Sequence, residues 1–141
     1  MVQSSQYTDG QSTLNKYKTK PYKHQGECLR LHGGKPAYAL LAEMGTGKTW
    51  IIINDIADLW ARGLCMTVLV IAPNGVHSNW TRLELPKHMP DWVRYKAVTW
   101  YANPNKTEKQ ELKDMHVSES GELLILTMNK EIGRASCRER V

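Results

Sequence analysis

The sequence predicts an α/β domain whose parallel sheet carries helices on both faces. Three observations lead there. Short uncharged apolar runs, too short for buried helices, recur at residues 37–41, 66–71 and 123–128. Segments with helical spacing or helix stop signals lie between them. A glycine-rich loop, AEMGTGKT at residues 42–49, joins the first run to the next helix.

In order, residues 1–20 are rich in Ser, Gln, Thr, Lys and Asn and have few apolar side chains to bury, so they are expected to form a flexible leader. Residues 22–32 carry a weak apolar face (Cys28, Leu29, Leu31) that Gly33, Gly34 and Pro36 terminate, which predicts a short helix. The run at 37–41 is read as the first buried strand. Residues 48–62 then show Trp50, Ile51, Ile52, Ile53, Ile56, Ala57, Leu59 and Trp60 with Gly63 just beyond, as in a helix closed by a glycine stop. MTVLVI at 66–71 is a β-branched second strand that must turn at Ala72-Pro73-Asn74-Gly75. Residues 78–85 are expected to be helical, with Pro86 as their end. Alternation over 92–101 predicts a third strand, residues 106–116 an exposed helix, and LLILTM at 123–128 a fourth strand.

At 141 residues the chain is long enough for one compact core. Its 19 Lys and Arg against 14 Asp and Glu give a charge of +5, which permits nucleic-acid contact without requiring it. Cys28, Cys65 and Cys137 are widely spaced, and the five histidines lack ligand spacing, so neither a disulfide framework nor a zinc site is expected. No apolar run is long enough to span a bilayer and the first residues are polar, which makes a cytoplasmic compartment the expectation. The last eleven residues, EIGRASCRERV, abandon the apolar pattern and coincide with one reading frame of a common short-read sequencing adapter. Residues 131–141 are therefore set aside as an adapter-derived tail, and the coding sequence is expected to continue beyond Lys130.

The loop carries the chemistry. Clustered phosphate charge is best met by successive backbone N–H groups that no side chain obstructs, at the positive end of a helix dipole. Gly45 and Gly47 supply the turn, Lys48 the charge for the β- and γ-phosphates, and Thr49 a hydroxyl for Mg²⁺. Glu43, Met44 and Thr46 complete the predicted ATP-binding loop, and Ala42 stands where the common pattern has its first glycine.

With that loop in place, the chain resembles the SWI/SNF-type branch of superfamily-two helicase-like ATPases, related to DEAD/DEAH-box helicases and of prokaryotic or phage type. Four segments carry the resemblance. Pro21-Tyr22-Lys23-His24-Gln25 is similar to the Q-motif, which implies that Gln25 reads the adenine edge. AEMGTGKT resembles motif I, with Lys48 and Thr49 as its catalytic pair. LVIAPN at 69–74 with VHSNW at 76–80 resembles motif Ia, and LILTMN at 124–129 motif Ib. The resemblance implies that residues 21–130 are part of a RecA-like first domain. It further implies an ATP hydrolase coupled to movement on DNA, contacts from Pro73, Asn74, Ser78, Asn79 and Lys87 to duplex phosphates, and a partnering second RecA-like domain.

Hydrolysis in that family uses a D-E-x-[HD] acidic motif, which this sequence lacks. The expectation is an ATP-binding half-site with little turnover of its own, inside a prokaryotic or phage-infected cytoplasm. The alternatives are another P-loop enzyme, such as a packaging motor or a kinase, and a non-catalytic nucleotide-binding fragment.

Overall fold

The computed structural model describes residues 16–115, 117 and 121–130. The predicted leader is therefore described only from residue 16, and residues 131–141 lie outside the described residues, as do His116 and Glu119. Helix α1 (Lys23–His32) is followed by the loop and α2 (Lys48–Ala61), strand β1 (Thr67–Ala72), and a helical segment made of α3 (Val76–Asn79), a π turn (Trp80–Glu84) and α4 (Leu85–His88). Strand β2 (Tyr95–Trp100), α5 (Lys106–Asp114) and β3 (Leu123–Asn129) complete it. The three strands form one parallel sheet in the order β1-β3-β2, flanked by helices.

Local chemistry explains most element ends. Helix α2 closes as a Schellman motif: Gly63 N–H donates to Trp60 O (2.9 Å) and Leu64 N–H to Leu59 O (2.9 Å), while Gly63 takes a left-handed φ of 69°. Helix α5 opens on a reciprocal capping box. Glu108 N–H donates to Asn105 Oδ1 and Asn105 N–H to Glu108 Oε2, both at 2.8 Å.

The core lies on one face of the sheet. Side chains of β3 alternate between fully and partly buried, and Leu123, Ile125 and Thr127 are inaccessible at 0%. Leu123 and Ile125 meet Ile53, Ile56 and Ala57 of α2 and Trp80, Leu85, Met89 and Val93 beyond β1. On the same face three hydroxyls converge: Thr81 lies 2.6 Å from Thr99 and 3.2 Å from Thr127, and Thr127 lies 3.1 Å from Thr99. A buried hydroxyl without a partner costs about 1–3 kcal/mol, and here the three partner one another.

Three expectations are corrected. Residues 37–41 form no strand, and Leu41 is 94% exposed. An apolar run becomes a strand only where a neighbour takes its backbone groups, and all three strands of this sheet pair among themselves. The segment is held instead through Tyr38, whose hydroxyl reaches Asp55 Oδ2 at 3.4 Å. Burial, then the Asp55 carboxylate, push that phenol's pKa up to about 12.

Secondly, Pro86 does not end its helix, which starts at Val76 and runs to His88. A proline inside an α-helix loses a hydrogen bond and clashes with the preceding turn, and the wider π turn at Trp80–Glu84 stands just ahead of it. Helices flank the sheet, but they cover it unequally. Helix α5 lies along β2, where Lys96 Nζ donates to Asp114 O (2.7 Å), whereas Leu69 and Ile71 on the same side of β1 are 55% and 61% exposed. The third strand is also shorter than the predicted 92–101, because Val93 N–H turns back to Pro90 O (3.1 Å). No helix of the described residues is long and apolar enough to cross a membrane.

Candidate functional site

The glycine loop forms the site's base. Gly45 and Gly47 adopt φ of 77° and 76°, a region that side chains disfavour, and α2 begins at the next residue. Lys48 Nζ donates to Ala42 O and to Glu43 O, each at 2.7 Å, so its ammonium folds back over the loop. Thr46 Oγ1 donates to Glu43 O (2.8 Å), which closes the turn from inside. Met44 projects into solvent at 96% exposure.

Helix α1 grips this loop. Gln25, 3% exposed, donates from Nε2 to Gly47 O (3.1 Å) and accepts Tyr22 N–H at Oε1 (2.8 Å). His24 Nε2 lies 2.8 Å from Thr46 O, and its ring stacks on Tyr22 with centroids 5.9 Å apart. A Cβ added at Gly47 would collide with Gln25 Nε2, so a side chain there would displace the Gln25 amide as well as strain the backbone.

Above the loop lies a cavity of about 370 Å³. Gly45 to Thr49, Tyr22 and Gln25 form one side, and Glu84, Lys87 and His88 form the other. The second wall is tied down by residues 16–20, which the sequence assigns to the leader. Trp50 Nε1 donates to Thr19 Oγ1 (2.9 Å), and Thr19 Oγ1 lies 3.0 Å from His88 Nδ1. The Thr19 hydroxyl thus links the Trp50 indole N–H, which can only donate, to His88 Nδ1. The other ring nitrogen, Nε2, faces Glu84 Oε2 at 3.5 Å. Burial holds the His88 pKa below its ordinary value; the Glu84 carboxylate opposes this and the Lys87 ammonium adds to it. Lys18 pairs with Asp91 (2.8 Å) and Trp92 Nε1 donates to Lys16 O (3.3 Å), extending the strap.

The predicted loop residues and Gln25 are thus brought together, while the predicted DNA contacts stand elsewhere. Pro73 and Asn74 are exposed in the turn after β1, where Pro73 O accepts Val76 N–H (3.1 Å) and His77 N–H (3.3 Å). Ser78 Oγ donates to Gly75 O (3.0 Å) and Asn79 is exposed. None of the four lines the loop cavity, whereas Lys87 does.

Sequence reasoning missed Glu84, His88, Thr19 and Trp50 as neighbours of the loop. Only the four-residue spacing of Glu84 and His88 on one helix carried a signal. It also missed His77, which is 2% exposed, lies edge-on to Tyr101 at 5.6 Å and has no partner for either ring nitrogen among the described residues. A larger cavity of about 660 Å³ runs along the outer edge of β2, with Arg82 and Lys96 against Glu108, Glu111 and Asp114, and contains no loop residue. Among the described residues no cluster of three or more His, Cys, Asp and Glu could hold a metal by itself. The donors beside the loop, the Thr49 hydroxyl and the Glu84 carboxylate, suit a hard cation that brings phosphate and water ligands with it. Neither a family model nor a curated protein matches the chain.

Proposed function

We propose that the loop binds the triphosphate of ATP with Mg²⁺, as the nucleotide-binding part of a helicase-like ATPase that moves on DNA. The observation that carries this reading is the conjunction of two left-handed glycines, a lysine and a threonine at the first turn of a 14-residue helix that opens onto a cavity. The parallel order β1-β3-β2, with α2 ahead of it, is compatible with a partial RecA-like domain.

In this reading, backbone N–H groups at Gly45 to Thr49 receive phosphate oxygens. The Lys48 ammonium exchanges its two carbonyl partners, Ala42 O and Glu43 O, for β- and γ-phosphate oxygens. The Thr49 hydroxyl would hold Mg²⁺, which spreads charge between the β- and γ-oxygens when bound. Gln25 would read an adenine edge with the same amide that holds Tyr22 N–H and Gly47 O, so base recognition and loop position are coupled. Without an acidic D-E-x-[HD] motif the chain binds and does not turn over appreciably. Asn74, Ser78 and Asn79, presented by the turn that Pro73 shapes, would engage DNA phosphates without sequence preference, and that binding should weaken steeply with salt.

The test is titration of the chain with a fluorescent ATP analogue in the presence of Mg²⁺. Lys48→Ala should weaken binding about 10- to 100-fold, the worth of a charge-assisted contact. Undiminished affinity in that variant would remove the phosphate reading.

A further inference from the structure

We propose that Lys87 is a second phosphate-pairing residue of the loop cavity, facing Lys48 from the opposite wall, and not a contact to DNA. The inference rests on the nucleotide reading above. Lys87 lines the same cavity as Gly45 to Thr49, and its side chain joins no salt bridge among the described residues. Its nearest acid along the helix, Glu84, faces His88. The cavity therefore has one ammonium held on carbonyl oxygens, Lys48, and one without a carboxylate partner, Lys87.

The backbone beneath Lys87 is fixed. Leu85 and Met89, on either side of it, are 0% and 1% exposed in the core, and His88 next to it is bound to Thr19. A lysine on so anchored a turn keeps its Cα in place and loses only side-chain freedom on binding, which suits it to close a charged cavity. Its distance from the proposed DNA contacts points the same way. Lys87 lies nine positions along the helical segment from Ser78, about 13 Å at the usual rise per residue. Lys87 stands at the far end of that helical segment, beside the loop, and Ser78 at the end beside the β1 turn.

Two titrations on the intact chain decide it, one with the fluorescent ATP analogue and one with a labelled duplex over a range of salt. Lys87→Ala should weaken nucleotide binding about fivefold, the upper range for an exposed ion pair, and Lys87→Glu about tenfold or more. Lys87→Arg should stay within about twofold of the parent chain, and none of the three should change the salt slope for DNA. A slope reduced by about one, with nucleotide affinity unchanged, would make Lys87 a DNA phosphate contact and overturn the proposal. Loss of binding in Lys48→Ala but not in Lys87→Ala or Lys87→Glu would overturn it too while leaving the nucleotide reading intact. If the parent chain binds no triphosphate at all, both fall together.

Discussion

Residues 37–41 and Leu123–Asn129 are both short apolar runs, yet one stays unpaired and the other becomes the central strand. Leu124 to Thr127 have a parallel partner on each side, Thr67 to Val70 and Lys96 to Thr99, and their alternate side chains enter the core. The first run has neither, and Leu41 stands almost fully in water. Apolar composition supplies a reason to leave water; backbone partners decide whether a strand is how the chain does so.

The largest effect should come from the paired run. Ile125→Ala should cost about 3–5 kcal/mol in denaturant unfolding, as inaccessible branched side chains do, while Leu41→Ala should fall within about 0.5 kcal/mol of the parent. A cost above about 1 kcal/mol at Leu41 would mean that the first run is packed after all.

Next come the loop glycines, which share a φ and differ in surroundings. Gly47→Ala should cost about 1–3 kcal/mol and weaken nucleotide binding, because the backbone strain adds to a collision with Gln25. Gly45→Ala, with open space around it, should cost about 1 kcal/mol. Equal losses would remove the Gln25 contact from the account. Smaller again is Thr127→Val, expected at about 1 kcal/mol, since Thr81 and Thr99 keep each other at 2.6 Å.

The smallest effect is on the wall facing the loop. Burial lowers the His88 pKa, so the unfolded chain takes up a proton at higher pH than the folded one. Stability from this group is complete above the ordinary imidazole value of about 6.5 and is lost as pH falls through it towards the folded value. Melting temperatures measured from about pH 8 to about pH 5 should drop less in His88→Gln than in the parent. Parallel curves would assign the acid sensitivity to other groups.

Those differences also show where the sequence is legible. Helix α2 and its glycine stop, helix α5, and strands β1 and β3 follow from local patterns, and so does the glycine loop, whose glycines have a backbone reason to be there. The fate of residues 37–41 depends on which strands are available to pair with them, and no local pattern encodes that. Pro86 reads as a stop because proline usually is one, and a π turn leaves no mark in composition. The motif points to Gln25 for an adenine edge; its grip on Gly47 O appears only when α1 and the loop meet in three dimensions. Spacing could pair Glu84 with His88, four residues apart on one helix, but Thr19 joins them from a distant segment that no spacing rule reaches.

The π turn also bears on the phase of the helix that contains it. Each added residue rotates everything after it by roughly 100° about an α-helical axis, so a single widened turn resets which side chains look inward. Trp80 at the start of the turn, and Leu85 and Met89 after it, all reach the same core, while Lys87 and His88 line the loop cavity. An uninterrupted α-helix would turn Trp80 and Leu85, five residues apart, about 140° away from each other. With the wider turn both reach the sheet, while Lys87 and His88, on another side of the later stretch, line the cavity.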